Sequence, residues 1–218
     1  MAILSAASEG FWPNLLRQLG EWDRALFLKV NVDWAGGFAD AVMPVLRNQQ
    51  TWYPLYAFLI IYVFWRFRWK ALPFILIAGL TVVLTDQVSS SFLKNYFDRV
   101  RPCSEPLLAG IMKLRVGRCP TSGSFTSSHA VNHFGLAAYI IFCLKPYFKK
   151  WAWLFLLWAA CICYAQVYVG VHYPGDVSGG ALVGMLLGWL TSLLFTRYFN
   201  FGKPLRKQPA SPGNKEKL

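Results

Sequence analysis

Three polar clusters in this 218-residue chain have the residue types and spacing for chemistry. The first is Lys94 with Arg101 and Pro102, a lysine and an arginine with six residues between them. A planar guanidinium fork and a mobile ammonium near a membrane surface make a clamp for the non-bridging oxygens of a phosphate. The second is Ser127, Ser128 and His129 at the head of an apolar run. Hydroxyls beside the free N–H groups of a helix start form an anion site, and an adjacent histidine can protonate a leaving oxygen. His133, one turn further on, reads as a structural hydrogen-bonder. The third cluster is YVGVHYPGD, Tyr168 to Asp176, which sets His172 and Asp176 four residues apart. A carboxylate accepting from one imidazole nitrogen leaves the other free to attack phosphorus. Together the three clusters spell phosphoryl transfer without a metal or other cofactor. A metal site built from His129, His133, His172 and Asp176 is the rival chemistry.

The rest of the chain must bring these clusters together. It is 56% hydrophobic and 15% charged, with ten tryptophans, a composition that points to an integral membrane protein. Apolar runs at 52–65, 71–93, 130–144, 151–169 and 177–199 read as spans. The predicted fold is an all-α membrane helical bundle of about five to six transmembrane helices, preceded by interfacial amphipathic helices. Of those, 12–30 carries an apolar stripe with Arg17, Glu21 and Arg24 opposite, and 38–46 forms a second, shorter helix. The expected organisation is thus 1–50 interfacial or re-entrant, 51–200 the transmembrane core, and 201–218 a disordered basic cytoplasmic tail. Residues 1–16 lack a signal-peptide pattern. Asp86, at membrane depth near three serines, reads equally as a functional acid or as a hydrogen-bonded group orienting a loop. Gly180, Gly184 and Gly188 recur every four residues, as close helix contact requires.

The net charge of +12 does not call for nucleic acid, because most of it flanks apolar runs or lies in the tail. The basic turns Arg66–Lys70 and Lys145–Lys150 share one side with the tail, which the positive-inside rule makes cytoplasmic. The loop from Lys94 to His129 and the patch 166–176 then face the exterior or periplasm. That loop holds Lys94, Arg99, Arg101, Lys113, Arg115 and Arg118 on the side where few cations are expected, and an anionic partner would account for them. Cys103 and Cys119 both lie in this loop and could close it with a bridge in an oxidising compartment. Cys143, Cys161 and Cys163 read as small buried hydrophobes.

In combination and order, the clusters resemble the type 2 phosphatidic acid phosphatase (PAP2) family, whose signature is Lys-x6-Arg-Pro, then Pro-Ser-Gly-His, then Ser-Arg-x5-His-x3-Asp. The likeness runs from the second half of the second span to the start of the fifth. It implies a helical membrane enzyme in which Lys94 and Arg101 hold phosphate, Ser127 and Ser128 belong to the anion site, His129 is the general acid, His172 forms a phosphohistidine and Asp176 orients it. Thr126 and Ser128 stand for the usual Pro and Gly. Ala165 and Gln166 stand for the usual Ser and Arg, which puts a charged contact to phosphate in doubt. Lower activity, altered substrate preference and compensation are the possible consequences, and compensation by Arg99, Arg115 or Arg118 is expected because the loop has cations to spare.

The expected activity is phosphate removal from a membrane lipid at the non-cytoplasmic face of a bacterial inner membrane, with membrane lipids as surroundings. Undecaprenyl diphosphate is the first choice, since surplus cations suit a diphosphate. Phosphatidylglycerol phosphate, phosphatidate and the lipid A 1-phosphate follow. The alternatives from other classes are a lipid phosphotransferase and a weakly active lipid-binding or transport protein.

Overall fold

Helix α6, Ser128–Phe148, is the axis of the molecule. Its N-terminus is fixed by Ser127, whose hydroxyl accepts from the Ala130 N–H at 3.4 Å. Small side chains at Ala130, Gly135, Ala137 and Ala138 let neighbouring helices approach it closely. The computed structural model describes residues 11–202, and all regular structure among them is helical. The expectations for the extreme N-terminus and for the basic tail beyond residue 202 concern segments outside these residues.

In chain order the helices are α1 Phe11–Leu28, α2 Gly37–Arg47, α3 Tyr53–Phe67, α4 Ala71–Gln87, the single turn α5 Lys94–Phe97, α6, α7 Leu154–Tyr168 and α8 Pro174–Tyr198. Pro174 starts α8 at a position where a missing N–H costs nothing. The face Gly180, Gly184 and Gly188 lies directly on α6. A Cβ at Gly184 would come 2.3 Å from the Val131 carbonyl oxygen, and one at Gly188 2.1 Å from that of Gly135. Only glycine permits this backbone-to-backbone contact.

Three stretches are long and apolar enough to cross a membrane, 49–108, 128–168 and 174–198. The first folds into α3 and α4 around the basic turn Arg68–Lys70, and the second into α6 and α7 around Lys149–Trp153. Phe58, Ile61, Trp65, Leu76, Leu157 and Leu182 are all exposed, an apolar girdle that lipid rather than water must cover. The run 71–93, expected as one span, is α-helical only to Gln87 and then widens to π-helical winding through Leu93. Such winding is frequent at functional sites. Here it turns Ser89 inward, within 3.2 Å of the Thr126 hydroxyl and 3.0 Å of the Ser128 hydroxyl.

On α1 the residues Trp12, Leu16, Leu19, Trp22 and Leu26 are exposed, whereas Phe27 is buried with Val30, Leu108, Val167, Tyr168 and Tyr173. Its apolar stripe therefore faces outward, and Asp23 faces the bundle. Asn31, wholly buried just after α1, donates to the carbonyls of Lys113 and Tyr168 at 2.8 Å each and accepts from the Lys113 N–H at 2.8 Å. One side chain thereby ties the N-terminal helices to the long polar loop and to the end of α7.

Candidate active site

Chain alternation places the end of α5, the start of α6, the end of α7 and the start of α8 at one end of the bundle, opposite the turns Arg68–Lys70 and Lys149–Trp153. That end gathers the three polar clusters. His172 lies in the short connection from α7 to α8, and only 3% of it is exposed. Arg101, equally buried, donates from Nη1 to His172 Nε2 at 3.1 Å and to the Val171 carbonyl at 2.9 Å. Arginine has only donors, so Nε2 must carry the lone pair and Nδ1 the proton. Nδ1 faces Asp176 Oδ2 at 3.6 Å, slightly beyond hydrogen-bond length, and has no other partner. Burial pulls the His172 imidazolium down to about pKa 4, with the nearby Asp176 carboxylate partly opposing. The ring is therefore neutral at physiological pH, with its unprotonated nitrogen beside a guanidinium.

Asp176 is fully buried and saturated with donors. Ser124 donates to Oδ2 at 2.5 Å, the Tyr173 N–H to Oδ2 at 2.8 Å, and Arg99 Nη1 to Oδ1 at 2.7 Å. Arg99 also bonds Asp23 of α1 through Nη2 at 2.7 Å and lies over the Tyr173 ring at 4.3 Å. Asp23 in turn accepts from the Gly175 N–H at 2.7 Å. A chain Asp23–Arg99–Asp176 thus braces the carboxylate behind the histidine.

The rest of the Arg101 guanidinium holds the loop over the site. Nε donates to the Ser122 carbonyl at 2.7 Å, and Nη2 to the Ser122 hydroxyl and the Gly123 carbonyl at 3.1 Å each. Lys94 opens α5 and is half-buried, and its ammonium has no hydrogen bond or ion pair among the described residues. It lies within electrostatic reach of Arg101, Asp86 and Asp176. Ser127 is wholly buried and engaged as the α6 cap. The Ser128 hydroxyl is bonded with Ser89 and Ser90 at 3.0 and 3.2 Å. The ring of His129 has no hydrogen bond, and it lies parallel to that of His133 at 6.0 Å. His133 is occupied, Nδ1 donating to the His129 carbonyl at 2.8 Å and Nε2 accepting from Tyr56 at 3.3 Å. Asp86 accepts from Ser90 and from Asn132, both at 3.3 Å.

Two of the three arginines expected to compensate for Gln166 are paired with carboxylates. Arg99 is held by two carboxylates. Arg115 bonds the Asp40 carboxylate and the Asn31 and Tyr168 carbonyls, and stacks on Tyr168 at 4.5 Å. Arg118 is exposed in the loop. Gln166 is fully buried, and neither end of its amide is hydrogen-bonded. A disulfide joins Cys103 to Cys119 just after Arg101 and Pro102. No three His, Cys, Asp or Glu side chains among the described residues converge as metal ligands.

A cavity of about 460 Å³ runs from Ser128 and His129 between α3, α4 and α6, walled by residues such as Leu59, Ala78, Val82 and Leu136. Its lining runs from Ser128 and His129 to Ile60 and Ile75 on the lipid-facing helices α3 and α4. Sequence reading missed Asp23 and Ser124 altogether. Asp23 is 76 residues from Arg99, and neither residue stands in a recognisable motif.

Residues 70–200 match the family model described as PAP2 superfamily. A lipid A 4'-phosphatase of Bacteroides thetaiotaomicron is 37% identical over 156 residues, covering 70% of this chain and 68% of that protein. A lipid A 4'-phosphatase of Porphyromonas gingivalis is 29% identical over 171 residues, covering 77% and 70%. The fold is that of the transmembrane PAP2-type phosphatidylglycerolphosphate phosphatase of Bacillus subtilis, with a TM-score of 0.61 and 24% identity over 83% of this chain and 88% of that one. The chain belongs to the PAP2 superfamily as an integral membrane lipid phosphatase.

Proposed function

We propose that this enzyme removes a phosphate monoester from the sugar headgroup of a lipid A-type glycolipid, at the non-cytoplasmic face of a bacterial inner membrane. The observation that carries the lipid substrate is the largely apolar cavity between α3, α4 and α6 with His129 in its lining, room for an acyl chain beside the proposed acid. Both lipid A 4'-phosphatases described above match over most of this chain, which favours the glycolipid. A diphosphate is less favoured because the loop cations that suggested it, Arg99 and Arg115, are paired with Asp23, Asp176 and Asp40. The positive-inside argument supports the face: the basic turns lie at the end of the bundle opposite the site.

In this reading Nε2 of His172 attacks phosphorus in line, and the bond to the sugar oxygen breaks. Lys94, Arg101, the Ser128 hydroxyl and backbone N–H groups hold the equatorial oxygens, whose charge grows in the transition state. Arg101 turns from Nε2 toward phosphate and frees the lone pair. The bound anion favours the imidazolium form of His129, which gives its proton to the departing oxygen. His129 then takes a proton from water as that water cleaves the phosphohistidine, releasing inorganic phosphate and restoring both histidines.

Phosphate release should be measured from bis-phosphorylated lipid A, undecaprenyl diphosphate, phosphatidylglycerol phosphate and phosphatidate, comparing wild type with His172→Ala. The expected result is turnover of lipid A above the others and none with the variant. Faster turnover of undecaprenyl diphosphate would reinstate the diphosphate substrate. Lipid binding without release by both proteins would leave only a binding protein.

A further inference from the structure

Gln166 occupies the place of the arginine in the third motif, and its buried amide has no partner at either end. Groups of that kind are rare in folded interiors and mark a place where a polar ligand belongs. The cation that would complete the site comes from outside the matched region. Helix α2 packs on α7, and its Ala39 and Met43 lie against a cluster that includes Val167 and Tyr168. Arg47 follows Met43 by four residues, one turn further along the same face. Just beyond it, Trp52 donates from its indole nitrogen to the Leu46 carbonyl at 2.8 Å and packs on Trp158 at 5.8 Å. Arg47 is therefore bracketed against the part of α7 between Trp158 and Tyr168, which carries Gln166.

Its guanidinium differs from the other arginines of the site. Arg99 has two carboxylates and Arg101 a set of carbonyls, whereas Arg47 has no hydrogen bond or ion pair among the described residues. Its Nε is cut off from solvent with no partner. Arg47 is half-buried and near enough to Arg101 and His129 to act on both electrostatically. Lys94 and Arg47 thus both lie near Arg101, none of the three has an ion pair among the described residues, and the charged groups of Lys94 and Arg47 make no hydrogen bond there, an arrangement that a bound dianion relieves.

We propose that Arg47 supplies the guanidinium missing from the third motif, reaching the phosphate from α2 while Gln166 donates a neutral hydrogen bond to it. The inference rests on the phosphatase reading of the His172 site. It gives the N-terminal helices a part in binding substrate.

The test uses the full-length protein in detergent micelles, with lipid A hydrolysis and orthovanadate inhibition as paired readouts. Arg47→Ala should lower kcat/KM by about 10- to 100-fold, the loss of one charge-assisted bond, and weaken orthovanadate inhibition by a similar factor. Arg47→Lys should fall between. The double variant Arg47→Ala/Gln166→Arg should recover at least a tenth of wild-type kcat/KM, since the new arginine enters the space left by the old. Wild-type kinetics in Arg47→Ala would overturn the proposal. So would lost activity with unchanged orthovanadate inhibition and no recovery in the double variant, which is the pattern of a residue that only steadies α2. If wild type hydrolyses no lipid, the phosphatase reading fails instead, and calorimetric binding of orthovanadate to wild type and Arg47→Ala still decides whether Arg47 holds an anion.

Discussion

Asp23 lies on the amphipathic first helix, far in sequence from every motif, yet Arg99 ties it to Asp176, so in the proposed mechanism it supports catalysis. It receives one bond from Arg99 Nη2 and one from the Gly175 N–H, each 2.7 Å long. Charge-assisted bonds of this kind are worth roughly 1.5–3 kcal/mol when buried. The Asp23 side chain is 13% exposed, so its bond to Gly175 keeps most of that value. Arg99 is 32% exposed, and solvent screening reduces the ion pair to about 0.5–1 kcal/mol. Asp23→Ala should therefore destabilise the protein by roughly 2–4 kcal/mol, read as a lower Tm in detergent. Asp23→Asn keeps an acceptor for Gly175 and loses mainly the charge, so its Tm should fall much less. Both variants free one side of Arg99 and loosen its hold on Asp176. In both, kcat should drop by about 3- to 10-fold with KM little changed, because the bracing acts through His172 rather than on bound lipid. Phosphate release at saturating substrate, paired with thermal melts of the same preparations, measures both effects. Wild-type kcat and Tm in Asp23→Ala would refute the bracing argument, and a rise in KM alone would place Asp23 in lipid binding instead.

The pH dependence of kcat/KM should show its acidic inflection near the His172 pKa of about 4, not near the ordinary imidazole value of about 6.5. Because this pKa is depressed on folding, the unfolded chain binds more protons between those values, so His172 costs stability as pH falls through that window and a pH–Tm series should show the decline. Reduction of Cys103–Cys119 releases a loop with a sequence separation of 16. A chain-entropy estimate puts the loss near 3 kcal/mol, so dithiothreitol should lower Tm, and Cys103→Ser should match reduced wild type. Gly188→Ala should cost about 1–3 kcal/mol or more, since the added methyl meets the Gly135 carbonyl rather than a yielding side chain. Gly79→Ala, with open space at its Cβ, is the control for the same melt.

Much of the fold could be read from residue order because membrane helices announce themselves locally. The runs 130–144 and 177–199 became Ser128–Phe148 and Pro174–Tyr198, and the glycine face of the last helix is where α6 packs. The π-helical turn at Val88–Leu93 was not legible, because the polar partners that draw Ser89 inward, Thr126 and Ser128, come from another segment.

The sequence by itself determined that this chain is a helical membrane protein of the PAP2 superfamily, and it singled out the lysine, arginine, histidine and aspartate proposed to handle phosphate, since hydropathy and motif spacing are properties of the linear chain. It also exposed the missing arginine at Gln166 and the surplus of basic residues in the loop. Only the tertiary structure decided how that surplus is used. Arg99 braces Asp176 and Arg115 fastens the loop to Asp40, while Arg47, on a helix that showed no sign of chemistry, stands by the site without a counter-charge. The physical reason is that a guanidinium takes its role from whichever carboxylate, carbonyl or anion lies within about 3 Å, and those partners are supplied by helices distant in the chain.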